Sequence, residues 1–279
     1  EHHLMPGIAG GATSVGIAHI AAATQSIRVG SGGIMLPNHS PLAIAEQFGT
    51  LDALFPGRID LGLGRAPGAD MRVAQAMRRD LMRAADQFPQ DVVELRAHFS
   101  GEPDLGLEVS PGRGANPEMW ILGSGLFGAQ LAAALGMPYA FASHFAPDQL
   151  LPALEIYRRN FRPSAALAEP YAMAAMNVFA ADTKDEAEYV ASSMLQAFVA
   201  LRSGTPGKLR PPIENYRATL PPHATASLDH VMHYSAIGDV DDVREKLRWF
   251  REITQVDEII VAGATHNPAA RQHSLKLAM

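Results

Sequence analysis

Short β-rich apolar runs alternate along this chain with longer Ala- and Leu-rich segments of helical period, and that alternation restricts the fold more than any single motif. Near-continuous apolar strands are buried on both faces, and the helices between them supply the crossovers that parallel pairing needs. The expected class is therefore α/β. Strands are expected at Ile27–Leu36, Ile59–Leu63, Met119–Leu122, Tyr139–Ser143, Tyr171–Ala180 and Glu258–Ala262. Helices are expected near 12–24, 41–54, 70–99, 125–136, 147–161, 183–202 and 239–254. Six strands fit an open doubly wound sheet and a closed (β/α)8 barrel equally, so the alternation alone does not choose.

The rest of the composition works by exclusion. A net charge of −6, with no basic run longer than a pair, leaves no footprint for a phosphate backbone or an anionic bilayer. With no cysteine there is no disulfide framework, thiol nucleophile or Cys-based metal site, and the cytoplasm is the default compartment. The stretch Ile8–Thr24 is broken by Gly10, Gly11, Ser14, Gly16 and His19, so it reads as a buried helix rather than a membrane span. The opening Glu1-His2-His3 is unlike a secretory signal. Between 204 and 222, seven of nineteen residues are Pro or Gly, which predicts a long irregular loop between helix and strand, read as a flap.

Three glycine-bearing segments carry candidate chemistry. Gly123-Ser124-Gly125-Leu126-Phe127-Gly128 runs from a strand into a helix, where free N–H groups and the helix dipole favour an anion. A nicotinamide site would add an acid about 20 residues on. None lies between Met119 and Pro147, so a generic phosphate cradle or a tight packing turn fits better. Gly30, Gly32 and Gly33 interrupt an apolar strand, which marks either the close approach of a ligand or a bend at a barrel corner. Arg65 follows a strand ending at Gly64, positioned to clamp an anion or a carbonyl-rich ring, or to pair with an acidic loop residue. Of the eleven histidines, His2, His3, His39 and His144 fall near expected strand ends. No metal-ligating spacing, nucleophile elbow or P-loop is present, so no metal site is expected.

Taken together, these segments resemble the bacterial luciferase-like family of flavin-dependent monooxygenases. The resemblance is carried by Glu1-His2-His3 with Pro6-Gly7-Ile8-Ala9, by Arg28 to Pro37 continuing Asn38-His39-Ser40-Pro41-Leu42, by the helix holding Glu46-Gln47, and by Pro56 to Pro67 and Trp120 to Pro138, in the family's order. Tyr139 to Phe145 and Gly238 to Leu247 are compatible with it. It implies a (β/α)8 barrel forming one domain over 1–279, with FMN at the carboxyl ends of the strands. It also implies a cis peptide at Gly32-Gly33 beneath the flavin ring, with Ser31, Gly32 and Gly33 against the cofactor and Arg65 beside it. Ser124, Gly125 and Gly128 would take the phosphate, and His2 would be the catalytic acid/base, its ordinary pKa suiting proton transfer near neutral pH.

By the same resemblance, reduced FMN comes from a separate flavin reductase, O2 is the co-substrate, the substrate is a small organic molecule such as an aldehyde, and the protein is a homodimer. A deazaflavin-dependent oxidoreductase of the same fold and a non-catalytic flavin-binding protein are the alternatives. Against the family pattern, the first βα unit is missing ahead of Glu1, which leads to the expectation of a longer natural N-terminus. Gly64 stands where light-emitting members carry cysteine, so bioluminescence is not implied.

Overall fold

The computed structural model of the chain describes residues 1–66, 76–77, 81–101 and 109–279. Pro67 and Gly68, and the first part of the helix expected over 70–99, lie outside the described residues. The chain divides into two compact units, one made of 1–123, 131–139 and 162–168, the other of 124–130, 140–161 and 169–279.

In the first unit, α1 (Thr13–Ala22) leads to β1 (Val29–Met35), a 3-10 turn (Leu36–Asn38) and α2 (Pro41–Leu54), then β2 (Ile59–Gly64), α3 (Leu81–Ser100) and β3 (Glu118–Gly123). The strands pair in parallel, Val29 opposite Ile59 and Asp60 opposite Glu118. Burial of Ile34, Leu61, Leu63 and Ile121 on the sheet against Ile44 and Phe48 of α2 forms the local core, the dominant favourable term in holding strand to helix. Helix α2 starts on Pro41, whose missing N–H falls where a helix has no internal partner for it.

Two arginines fasten the amino-terminal ends of these strands. Arg28 donates to Asp60 and, at 2.9 Å, to Glu118, tying three strands together. Arg58 clasps the end of α1 and the turn after it, donating to the carbonyls of Ala21 (3.2 Å), Thr24 (2.9 Å) and Ile27 (2.9 Å) and to the Thr24 hydroxyl (2.7 Å). The Ala21 carbonyl is one of the last four of α1, which have no i+4 N–H within the helix. Contrary to the expectation of a buried helix, α1 buries only Ile17 and Ala21, while Val15 is 68% and Ile20 47% exposed. An apolar helix does not identify its own buried face when apolar residues surround it.

The second unit holds β5 (Ala172–Ala180), which pairs in parallel with β6 (Ser235–Gly238) on one side and β7 (Glu258–Ala262) on the other. Around it stand α5 (Leu150–Asn160), α6 (Lys184–Arg202), α7 (Pro222–Val231), α8 (Val240–Thr254) and α9 (Pro268–Ala278); α4 (Leu126–Leu135) and β4 (Tyr139–Phe141) contribute residues to both units. Asp239 and Asp242 form a capping box at the start of α8, and Thr183 caps α6. Phe179 packs with Ala191, Leu195 and Phe198 of α6 and Leu228, Val231 and Met232.

Seven strands are present among the described residues, one more than the six expected, because Ser235–Gly238 has only four residues and little apolar character to announce it. Helices α7 and α9 were also not anticipated. The Pro- and Gly-rich segment therefore joins helix to helix rather than helix to strand, and part of it is a 3-10 turn at Tyr216–Thr219. It is also fastened: Ser192 accepts from the Ile213 N–H at 2.8 Å, and Gln196 donates to the Pro211 carbonyl at 2.9 Å.

Candidate functional site

The carboxyl ends of β1 and β2 gather most of the site residues read from the sequence. The glycines of β1 differ in what they permit. A Cβ at Gly30 would stand 2.5 Å from Asp60 Cβ, and one at Gly33 2.6 Å from the Gly62 carbonyl oxygen, so both are glycine because the next strand's backbone lies against them. Gly32 is the opposite case: nothing lies within 4 Å of where its Cβ would be, and the residue is exposed. The Gly32–Gly33 peptide is cis, and the register between β1 and β2 slips by one residue between Gly32 and Ile34. Ser31 is buried, its hydroxyl donating to the Gly62 carbonyl at 2.9 Å, so it braces the two strands from beneath.

The segment carrying His2 is bound to this strand end. The Glu1 backbone nitrogen donates to the Gly33 carbonyl at 3.1 Å. The Glu1 carboxylate, 1% exposed, accepts from His3 Nε2 at 2.6 Å and His39 Nε2 at 2.8 Å. It also accepts from Asn38 Nδ2 at 3.3 Å and the Met35 N–H at 3.0 Å. Burial opposes its ionisation, but the hydrogen bonds from His39 and His3 and the charge of His39 prevail and carry its pKa down to about 2. His2 Nδ1 is buried with no hydrogen-bond partner among the described residues, and burial lowers its pKa. Glu1 was quoted from the sequence only as part of a motif. Its role depends on bringing residues 1, 3, 38 and 39 together, and no local spacing signals that.

Arg65 lies one residue past β2, its Nε donating to the Ala85 carbonyl of α3 at 3.2 Å and its guanidinium 3.9 Å from the exposed Asp86 carboxylate. Ser124, Gly125 and Gly128 belong to the second unit, at the opening of α4, whose first turn holds no acidic residue to repel an anion. Ser124 is exposed and Gly128 buried.

The second unit has a polar centre of its own beyond β4. Asn177 of β5 donates to the His144 backbone carbonyl at 2.6 Å, while its Oδ1 and the His144 Nδ1 are buried without partners among the described residues. Burial takes the His144 pKa down to about 4, so the ring is neutral at pH 7. Phe145 meets His144 edge-on at 4.7 Å between ring centroids and is 49% exposed. His144 was noted from the sequence for its place at a strand end; Asn177 was not, since an Asn inside an apolar strand gives no chemical signature of its own.

The glycine strand thus offers a bare backbone surface at Gly32, and the segment bound to its end carries a histidine with an unpaired buried nitrogen. A family model described as luciferase-like monooxygenase matches residues 1–256. A luciferase-like monooxygenase of Escherichia coli (strain K12) is 51% identical over 280 residues, covering 100% of this chain and 84% of its own length. Among solved structures, apo-MsnO8 shares 32% identity at a TM-score of 0.85, covering 100% of this chain and 83% of that one. The oxygenating constituent of 3,6-diketocamphane monooxygenase from Pseudomonas putida, solved with FMN, shares the fold at a TM-score of 0.68 and 19% identity, over 95% and 81% of the two chains. With the family model matching most of its length and a relative at 51% identity, the chain belongs to the luciferase-like monooxygenase family and has that family's α/β fold type.

Proposed function

We propose that this protein is a flavin-dependent monooxygenase that uses reduced FMN and O2 to oxidise a small organic substrate, with an aldehyde as the first class to test. The observations that carry the reading are the open face of Gly32 and a buried, unpartnered His2 nitrogen on a segment whose Glu1 nitrogen is hydrogen-bonded to the Gly33 carbonyl. Reduced FMN, when bound, supplies the electrons and the oxygen activation that side chains cannot. One oxygen atom enters the substrate and the other leaves as water.

The chain's own residues have positional tasks. Gly32 and Gly33 let a ring approach the backbone, and Ser31 keeps that backbone rigid through Gly62. Arg65, placed one residue past β2 with its Nε on the Ala85 carbonyl, would face its guanidinium to a ring carbonyl. In the second unit, Ser124, Gly125 and Gly128 stand at a helix start of the kind that suits a phosphate. His2 holds or delivers a proton near the reacting atoms, and burial of its ring disfavours the cation, which suits it to act as a base. Support for a separate reductase comes from the diketocamphane enzyme, described as an oxygenating constituent.

The test is titration of the full-length protein with FMN and reduced FMN, followed by oxygen consumption with a panel of aldehydes and sulfonates. Tight flavin binding without any oxygen-dependent product would point to the non-catalytic reading. Turnover confined to reduced deazaflavin, without oxygen, would replace FMN by that cofactor.

A further inference from the structure

We propose that Glu1 is the positioning residue for His2, and that its carboxylate, gripped by His39 and His3, fixes the short piece of backbone that presents the His2 ring. The proposal rests on the reading of His2 as the proton-transfer residue, and it assigns how that ring is held.

Both chain neighbours of His2 are tethered. Glu1 is fixed through its main chain to Gly33 and through its side chain to Met35, Asn38 and His39; His3 is fixed through its ring to Glu1. Between them, only the His2 ring has a buried nitrogen left without a partner. Four donors converge on a carboxylate, which is acceptor-only when ionised and matches them without remainder. An acceptor-only carboxylate requires a proton on the facing Nε2 of both rings, so Glu1 also sets the orientation of His3 and His39. The two ring nitrogens and the carboxylate oxygen lie within 4.8 Å of one another, as metal ligands would. The separations of 2.6 and 2.8 Å from one shared oxygen are those of charge-assisted hydrogen bonds, and the bonds to Asn38 and Met35 leave that carboxylate fully engaged. The bracket sits directly after the Gly32–Gly33 pair, so it fixes His2 relative to the strand surface proposed to carry the ring.

The experiment uses the full-length protein and the variants Glu1→Gln, His2→Gln, their double mutant, His39→Leu and His39→Gln. Gln at position 1 keeps the shape but turns an NH2 toward donors. Expected for Glu1→Gln is a loss of roughly 10–100-fold in kcat, the range seen when a residue that orients a reacting group is removed. Flavin affinity stays unchanged. In the His2→Gln background the same change has no further effect, because it acts through a ring no longer there. His39→Gln, which keeps a donor facing Glu1, loses less than His39→Leu. A second readout needs neither flavin nor turnover: carbethoxylation of His2 by diethylpyrocarbonate, followed by peptide mass spectrometry, is faster in Glu1→Gln than in the parent protein. Equal losses in kcat in both backgrounds, an unchanged rate of His2 modification, or a stoichiometric divalent metal whose removal by chelator abolishes activity would each overturn the proposal. Were no oxygen consumed with any reduced flavin, the monooxygenase reading would fail, while the modification rates would still decide whether Glu1 orients His2.

Discussion

His144 gives the sharpest test of the electrostatics. Its ring is kept neutral by burial, with a pKa near 4 in the folded protein against 6.5 in an unfolded chain. Above pH 6.5 neither state binds the proton and the residue contributes nothing to the pH dependence. As the pH falls from 6.5 to 4, the unfolded chain takes up a proton that the folded chain refuses, so the fold loses stability at about 1.4 kcal/mol per pH unit. Over that window of about 2.5 units the loss reaches about 3 kcal/mol. A His144→Gln variant has no proton to take up, so its stability falls with pH only through groups shared with the parent.

The assay is urea unfolding at pH 7, 6, 5 and 4, followed by the fluorescence of Trp249 on α8 in the same unit, each protein being referred to its own value at pH 7. The expected outcome is that the parent loses about 3 kcal/mol more than the variant by pH 4. Two parallel curves would refute the reasoning, as would an NMR titration placing the His144 midpoint at its ordinary value. Either result would mean that water reaches the ring.

Glu1 behaves with the opposite chemistry and in a lower window: its folded pKa of about 2 lies below the ordinary 4.5, so its contribution is present above pH 4.5 and is lost as the pH falls toward 2. In the same urea assay, the difference between parent and Glu1→Gln should change below pH 4.5 only. Gly33→Ala should destabilise by about 1–3 kcal/mol, since its methyl meets the Gly62 carbonyl. Gly32→Ala, facing open space, should leave Tm unchanged while weakening FMN binding in a fluorescence titration; unaltered affinity would remove the ring from that face. Replacing Arg58 by Met should lower stability by about 2–3 kcal/mol in chemical denaturation, because the carbonyls of Ala21, Thr24 and Ile27 lose a charged donor. His2→Ala should abolish oxygen-dependent turnover with flavin still bound, and full activity in that variant would exclude His2 as the proton carrier.

Much of the fold was legible because it is written in local periodicity. β2 and β5 lie within a residue of where their apolar runs end, and α2 begins on the Pro41 that also marks it in the sequence. What escaped has little local signal. β6 is four residues long, and its place beside β5 is fixed by pairing with Asn177 through Ala180 rather than by its own composition. The glycine strand was legible as unusual, but the sequence could not divide its glycines. Gly30 and Gly33 are demanded by the neighbouring strand, whereas Gly32 is demanded by nothing in the described chain.

That division bears on how such a site is built. A ligand surface made of backbone must be bare on one face and rigid from behind, and β1 meets the two needs with successive residues. Ser31 is hydrogen-bonded to the Gly62 carbonyl, the backbone of Gly62 leaves no room for a side chain at Gly33, and Gly32 between them projects no side chain. The same economy recurs at the chain opening, where Glu1 and His3 are spent on anchoring and His2 alone keeps an unpaired nitrogen. An unpaired buried polar atom destabilises a fold by about 1–3 kcal/mol, so it persists where a partner arrives from outside the chain. The anchors on either side keep that nitrogen from relieving its own deficit by turning toward solvent. Loosening Glu1 should therefore release the His2 ring even as it disables it, and a gain in the mobility of that ring at pH 7, over and above the stability lost with the Glu1 carboxylate itself, is the signature that separates an orienting contact from a merely structural one.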